Sequence, residues 1–172
     1  MLLSIISCKN DSKTISKIGH IHTSIKKEFA PDKRVELFDI QFSTSNRKII
    51  LTGETTSKKA FSILLDSLKN RKLTFVNNVR MLPDSAVGNQ QYAVARNSVI
   101  NIRSKPKHSA ELGTQGLLGM SLKVLDKKGD FYRIQTPDHY ISWVDKGGIT
   151  KMTKATFDRW SASKKIIFTQ NF

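Results

Sequence analysis

Apolar residues along the first half of the chain change period several times. From Thr14 to Phe29 they stand at Ile15, Ile18, Ile25 and Phe29, with the ambivalent His22 between, and these spacings of three and four place them on one helical stripe. Pro31 closes that helix. Phe38, Ile40 and Phe42 then alternate with Asp39 and Gln41, the period of a half-buried strand. Ser43 to Asn46 supplies a turn, and Lys48 to Thr52 predicts a second strand ending at Gly53, so the pair reads as a hairpin. Helical spacing returns at Ala60, Phe61, Leu64, Leu65 and Leu68, behind Thr55, Thr56 and Ser57 as candidate N-caps. Leu73 to Leu82 predicts a third strand, closed by Pro83-Asp84. The order over residues 14–84 is helix, strand, strand, helix, strand, a small α+β domain.

Residues 85–91 are polar, contain Gly88 and read as a linker. From Tyr92 short apolar runs recur between turn signals: 92–95, 99–103, 117–118, 122–125, 131–134 and 140–144. That spacing predicts a small closed or nearly closed β-barrel over residues 92–150. Residues 151–163 carry Met152, Phe157 and Trp160 behind Thr153 as N-cap, which predicts a short helix with Trp160 in the core. Ser163 to Phe168 predicts a further strand.

Composition narrows the function classes. The chain has 172 residues, room for one or two small domains, and no apolar run reaches the roughly 18 residues of a membrane span. Four histidines and one cysteine lack metal-site spacing, so neither metal nor cofactor is expected, and His108 and His139 read as surface residues beside polar turns. The net charge of +15 is spread evenly: residues 1–90 hold 15 basic and 8 acidic side chains, residues 91–172 hold 14 and 6. An even spread favours anionic partners such as an envelope surface or wall polymer; with no basic block or aromatic-basic platform, no nucleic-acid partner is expected.

Ile5-Ile6-Ser7-Cys8 resembles a lipobox, the cleavage and acylation signal of bacterial lipoproteins, and the chain turns polar directly after it. The resemblance implies a diacyl anchor on Cys8 and makes residues 1–13 a signal remnant and tether. Seven residues precede Cys8 and, on formal charges, none is basic, so an upstream start is expected. The plainer alternative is a short apolar N-terminus with an incidental thiol.

Ile49 to Thr55, leading into a helix and then a strand with Val76 to Val79, resembles the BON-type envelope module. It implies a BON-like α/β sandwich over residues 14–84, used for association with membranes, wall or partner proteins; a generic two-layer domain is the alternative. In the second half, Asn101 to Pro106, Leu117-Leu118-Gly119 before Leu122 to Leu125, Gly129 to Ile134 and Asp138 to Val144 resemble the successive motifs of a bacterial SH3-like domain. Residues 111–120, 140–160 and 163–169 further resemble the first SH3-like domain of NlpC-type cell-wall cysteine peptidases, the dipeptidyl-peptidase VI-like enzymes. Those enzymes cut the γ-D-glutamyl to diamino-acid bond of muropeptides with a free N-terminal L-alanine.

In that family a second SH3-like domain and a papain-like domain follow. The chain is therefore expected to be a truncated, non-catalytic relative with no catalytic residues of its own. The resemblance places Tyr140 where an aromatic packs on the alanine and Lys105 where an acid would pair with its ammonium; Arg103 and Trp143 complete the ligand-binding set. Tyr140 alternatively packs in the barrel, and Lys105 alternatively is a solvated turn residue. Two functions stay open: a cell-envelope lipoprotein, periplasmic or at the outer membrane, that binds peptidoglycan peptides or a C-terminal peptidase domain; or a basic adaptor for anionic lipid or a protein.

Overall fold

The structure, a computed structural model, describes residues 4–46 and 48–166, with side chains from Thr14 onward. The chain divides into two compact units, Met1–Ser85 with Asp138–Ile141, and Ala86–Pro137 with Ser142–Phe172. Among the described residues the architecture is mixed α and β, mostly strands, with three helices.

The first unit runs α1 (Ser4–Phe29), β1 (Phe38–Ser45), β2 (Lys48–Thr55), α2 (Lys58–Asn70) and β3 (Phe75–Met81). This is the expected helix, strand, strand, helix, strand order. β1 and β2 pair antiparallel from Phe38 opposite Thr55 to Ser45 opposite Lys48. β3 returns through α2 to lie parallel to β2, so β2 is central. The predicted stripes meet in one core: Ile18 and Ile25 from α1, Phe38 and Ile40 from β1, Ile49 and Leu51 from β2, and Ala60, Leu64 and Leu68 from α2. Each such large side chain contributes roughly 2 kcal/mol by leaving water.

Two hydroxyls, those of Thr55 and Thr56, seat the start of α2. Ser57 is the N-cap residue but makes no side-chain cap bond. Its N–H donates to Thr55 Oγ1 at 3.0 Å, and the Thr55 hydroxyl donates to the Leu37 carbonyl at 2.8 Å. Thr56 Oγ1 accepts from the Leu37 N–H at 2.9 Å. These bonds tie the entrance of β1 to the end of β2.

Two boundaries differ from the sequence reading. α1 begins at Ser4 and not at Thr14, because neither Pro nor Gly interrupts residues 4–18. It therefore carries the backbone of Cys8; the Cys8 side chain lies outside the described residues, as do Leu2 and Leu3. β2 does not stop at Gly53 but continues to Thr55, since Gly53 takes φ +113° within the ladder opposite Ile40.

After a short 3-10 turn, Ser85–Val87, the chain continues through β4 (Tyr92–Ala95), β5 (Val99–Arg103), β6 (Leu112–Leu117), β7 (Ser121–Lys128), β8 (Phe131–Gln135), β9 (Ile141–Asp145), β10 (Ile149–Met152) and α3 (Lys154–Ala162). The seven strands form one sheet in the order β10-β4-β7-β8-β9-β5-β6. Its buried residues include Ile102, Val124, Leu125, Ile134 and Val144.

The predicted runs map onto β4, β5, β7, β8 and β9. β6 starts at Leu112, five residues before the apolar pair that signalled it, because its inner positions are polar or glycine and only Gly116 is buried. β10 occupies Ile149–Met152, so Lys151 and Met152 belong to a strand and not to the approach to a helix. Thr153 does cap α3, its hydroxyl accepting from Thr156 N–H. No residue of α3 is buried, so Trp160 is half-exposed and not core. Residues 163–166 form no strand, and Ile166 is fully exposed; Phe168 lies outside the described residues.

Candidate functional site

A pocket of about 200 Å³ opens where β5, the start of β8 and the end of β9 converge. β5 and β9 pair antiparallel, Ile102 opposite Val144 and Arg103 opposite Trp143, which sets the end of β9, Val144 and Asp145, beside the middle of β5. Ile100, Val144 and Phe131, all buried, supply apolar lining, and Asn97, Asn101, Arg103, His108 and Asp145 supply polar groups.

Local chemistry orients the polar groups. Asp145 is the N-cap of the 3-10 turn Lys146–Gly148, its Oδ1 accepting from Gly147 N–H at 2.7 Å. Its Oδ2 lies 3.5 Å from His108 Nε2, and the His108 ring rests on Phe131 with centroids 5.0 Å apart. Arg103 donates from Nη1 to the Ala110 carbonyl at 2.8 Å, which ties the segment between β5 and β6 back to the strand. Beside the pocket, Lys146 donates to Asp130 at 2.9 Å and holds that carboxyl below the usual range. At Gly148 a Cβ would come within 3.0 Å of Ile100 Cγ2, so the backbone approaches the lining closely.

Of the four expected ligand residues the pocket gathers one, Arg103. Lys105 is exposed in the turn after β5, the solvated alternative of the sequence reading. Tyr140 is half-buried in the segment Asp138–Ile141, which groups with the first unit. Trp143 is buried, and its ring faces the Arg133 guanidinium at 4.7 Å. His108, expected only at the surface, is indeed well exposed yet lines the pocket. Asp145 and Phe131 were not singled out by sequence; the Asp145-Lys-Gly-Gly run is a capping signal that points to the former. Among the described residues no group of three or more His, Cys, Asp or Glu is placed to hold a metal ion.

Contrary to the sequence reading, an aromatic-basic grouping exists in this unit. Tyr92 stacks on Phe157 at 5.1 Å and Phe157 meets Trp160 at 5.8 Å. Lys154 lies over Tyr92 and Lys165 over Trp160, so lysines already occupy a face of each end ring.

The pocket therefore presents one guanidinium, an imidazole–carboxylate pair, two carboxamides and an apolar lining, a set suited to holding a small polar ligand and with no nucleophile among its lining residues. Residues 102–149 match the family model of the bacterial dipeptidyl-peptidase Sh3 domain. The match begins inside β5 and ends at the first residue of β10, and it takes in Arg103, His108, Phe131, Val144, Asp145 and Gly148 of the pocket. No curated protein matches the chain.

Proposed function

We propose that this chain is a non-catalytic cell-envelope module of a bacterium, in which an SH3-like barrel formed by the second unit binds or positions peptidoglycan peptides for an NlpC-type cysteine peptidase. The observation that carries the reading is the match of residues 102–149 to an SH3-type accessory domain of bacterial dipeptidyl-peptidases, with most of the pocket inside it. The first unit, in the BON-like reading, associates with the envelope, and acylation of Cys8 anchors the chain there. Its helix–strand–strand–helix–strand order supports that reading. Among the described residues no helix is long and apolar enough to cross a membrane.

A second reading, a basic adaptor for anionic lipid, is favoured by the net charge of +15. The two separate by co-sedimentation of the purified chain with peptidoglycan sacculi and, in parallel, with vesicles containing phosphatidylglycerol. Peptide recognition predicts sacculus binding that persists when salt rises from 50 to about 300 mM, because a pocket is screened far less than a dispersed surface charge. Vesicle binding without sacculus binding, lost at the higher salt, would establish the adaptor instead. The free-alanine end carried over from the family predicts that Lys105→Glu strengthens and Tyr140→Ala weakens binding of a peptide with a free L-alanine amine.

A further inference from the structure

We propose that the pocket between β5, β8 and β9 is a carboxylate-binding site, in which the Arg103 guanidinium grips the carboxylate of a small acid or peptide C-terminus while Ile100, Val144 and Phe131 receive its small apolar group. Where that acid is taken to be a peptide end, the proposal rests on the peptidoglycan reading above.

The charges of the pocket lead to an anion. Arg103 is intermediate in exposure and lines the cavity. One of its nitrogens is used on the Ala110 carbonyl, and among the described residues it has no ion-pair partner. The lining carboxylate, Asp145, is already engaged: one oxygen accepts from Gly147 N–H at 2.7 Å and the other lies 3.5 Å from Nε2 of His108, itself a lining group. The remaining N–H groups of the Arg103 fork thus suit a carboxylate, which such a fork takes through two parallel hydrogen bonds. Asn97 adds an amide donor and acceptor, and Asn101, whose Oδ1 accepts from Gln115 Nε2 at 2.9 Å, adds an amide donor, groups of the kind that pair with a peptide unit.

Size and lining limit the rest of the ligand. At about 30 Å³ per water in the liquid, the cavity holds the equivalent of about half a dozen waters, room for one or two small residues. The buried faces of Ile100, Val144 and Phe131 favour a methyl-sized apolar group over a second charge.

The test is an NMR titration of the full chain with three probes: N-acetyl-Ala-Ala, its C-terminal amide, and lactate. The free-acid peptide is expected to shift the amide signals of Ile100, Arg103, Val144 and Gly148, with the amide form at least about tenfold weaker, a difference of one charge-assisted hydrogen-bond pair. Lactate binding as tightly as the peptide identifies a small acid as ligand; weaker lactate binding identifies a peptide end. Arg103→Lys, which keeps the charge and loses the fork, should weaken the free acid by a similar factor and leave the amide form unchanged.

Equal affinity for acid and amide would overturn the proposal, and so would an unaltered titration in Arg103→Lys. The probe comparison within the wild type stands even if the variant disturbs the turn that Arg103 holds. Probe binding without sacculus binding would sink the peptidoglycan reading and keep the carboxylate site. Sacculus binding without any probe shift would do the reverse.

Discussion

Replacing Gly53 by alanine tests the account of the first unit at its tightest point. The residue sits in the middle of the β1–β2 ladder at φ +113°, and a Cβ built there would lie 2.0 Å from the Asp39 carbonyl oxygen and 3.3 Å from Ile40 Cα. The obstacle is backbone of the neighbouring strand, so no side chain can swing aside. Relief needs β1 to withdraw by about 1 Å, which loosens several ladder hydrogen bonds worth about 1 kcal/mol each, on top of about 1–3 kcal/mol for a non-glycine residue in that backbone region. The expected loss is about 3 kcal/mol or more, which for a domain of this size lowers the unfolding midpoint by about 12 °C or more.

Gly129 is the control: it also has positive φ, +55°, but a Cβ there meets nothing within 4 Å. Gly129→Ala carries only the left-handed backbone penalty of about 1–2 kcal/mol. The assay is thermal unfolding of the full chain followed by circular dichroism and by NMR signals of each unit, because two units need not melt together. If Gly53→Ala destabilises the first unit no more than Gly129→Ala destabilises the second, the close approach of β1 to Gly53 is wrong.

Two further outcomes follow from the titratable groups. The His22 ring stacks on Phe38 at 5.0 Å and meets the edge of Phe42 at 5.5 Å, with its Nε2 buried and without a hydrogen-bond partner among the described residues. Burial, aided by Lys26, lowers its pKa below the ordinary 6.5 against the opposing effects of the Phe38 backbone and Asp39. The folded state therefore prefers neutral His22: stability of the first unit is full above pH 6.5 and falls as the pH drops below it, and urea titrations of His22→Phe should lose that slope. On the exposed loop before β1, Arg34 makes hydrogen bonds to Asp32 that bring its carboxyl to about 2; carbon-13 detected titration should find it there, returning to the usual carboxylate range in Arg34→Gln, and a normal value in the wild type would remove the pairing.

The first unit was legible because its apolar positions keep one period per element. Ile15 to Phe29 and Ala60 to Leu68 specify helix faces, and Phe38-Ile40-Phe42 specifies a strand face, with no competing signal. Its boundaries were less so: the reach of β2 past Gly53 depends on a backbone angle, and the start of α1 on the mere lack of a breaker. In the second unit, β6 reads Leu-Gly-Thr-Gln-Gly-Leu and buries one glycine, so periodicity had nothing to mark. The site was harder still. Arg103 was found through a motif, but the neighbours that give it meaning, His108 and Asp145, lie 37 residues apart and meet only through the β5–β9 pairing. Tyr140 and Lys105 came from a family pattern, and neither lines the pocket.

The most direct test of the proposed function is an NMR titration of the full chain with a soluble L-Ala-γ-D-Glu-diamino acid peptide, set against the same amount of phosphatidylglycerol vesicles. Peptide recognition by the second unit predicts saturable shifts from the peptide within residues 102–149. Shifts confined to the first unit, or a response to vesicles with none to peptide, would contradict it.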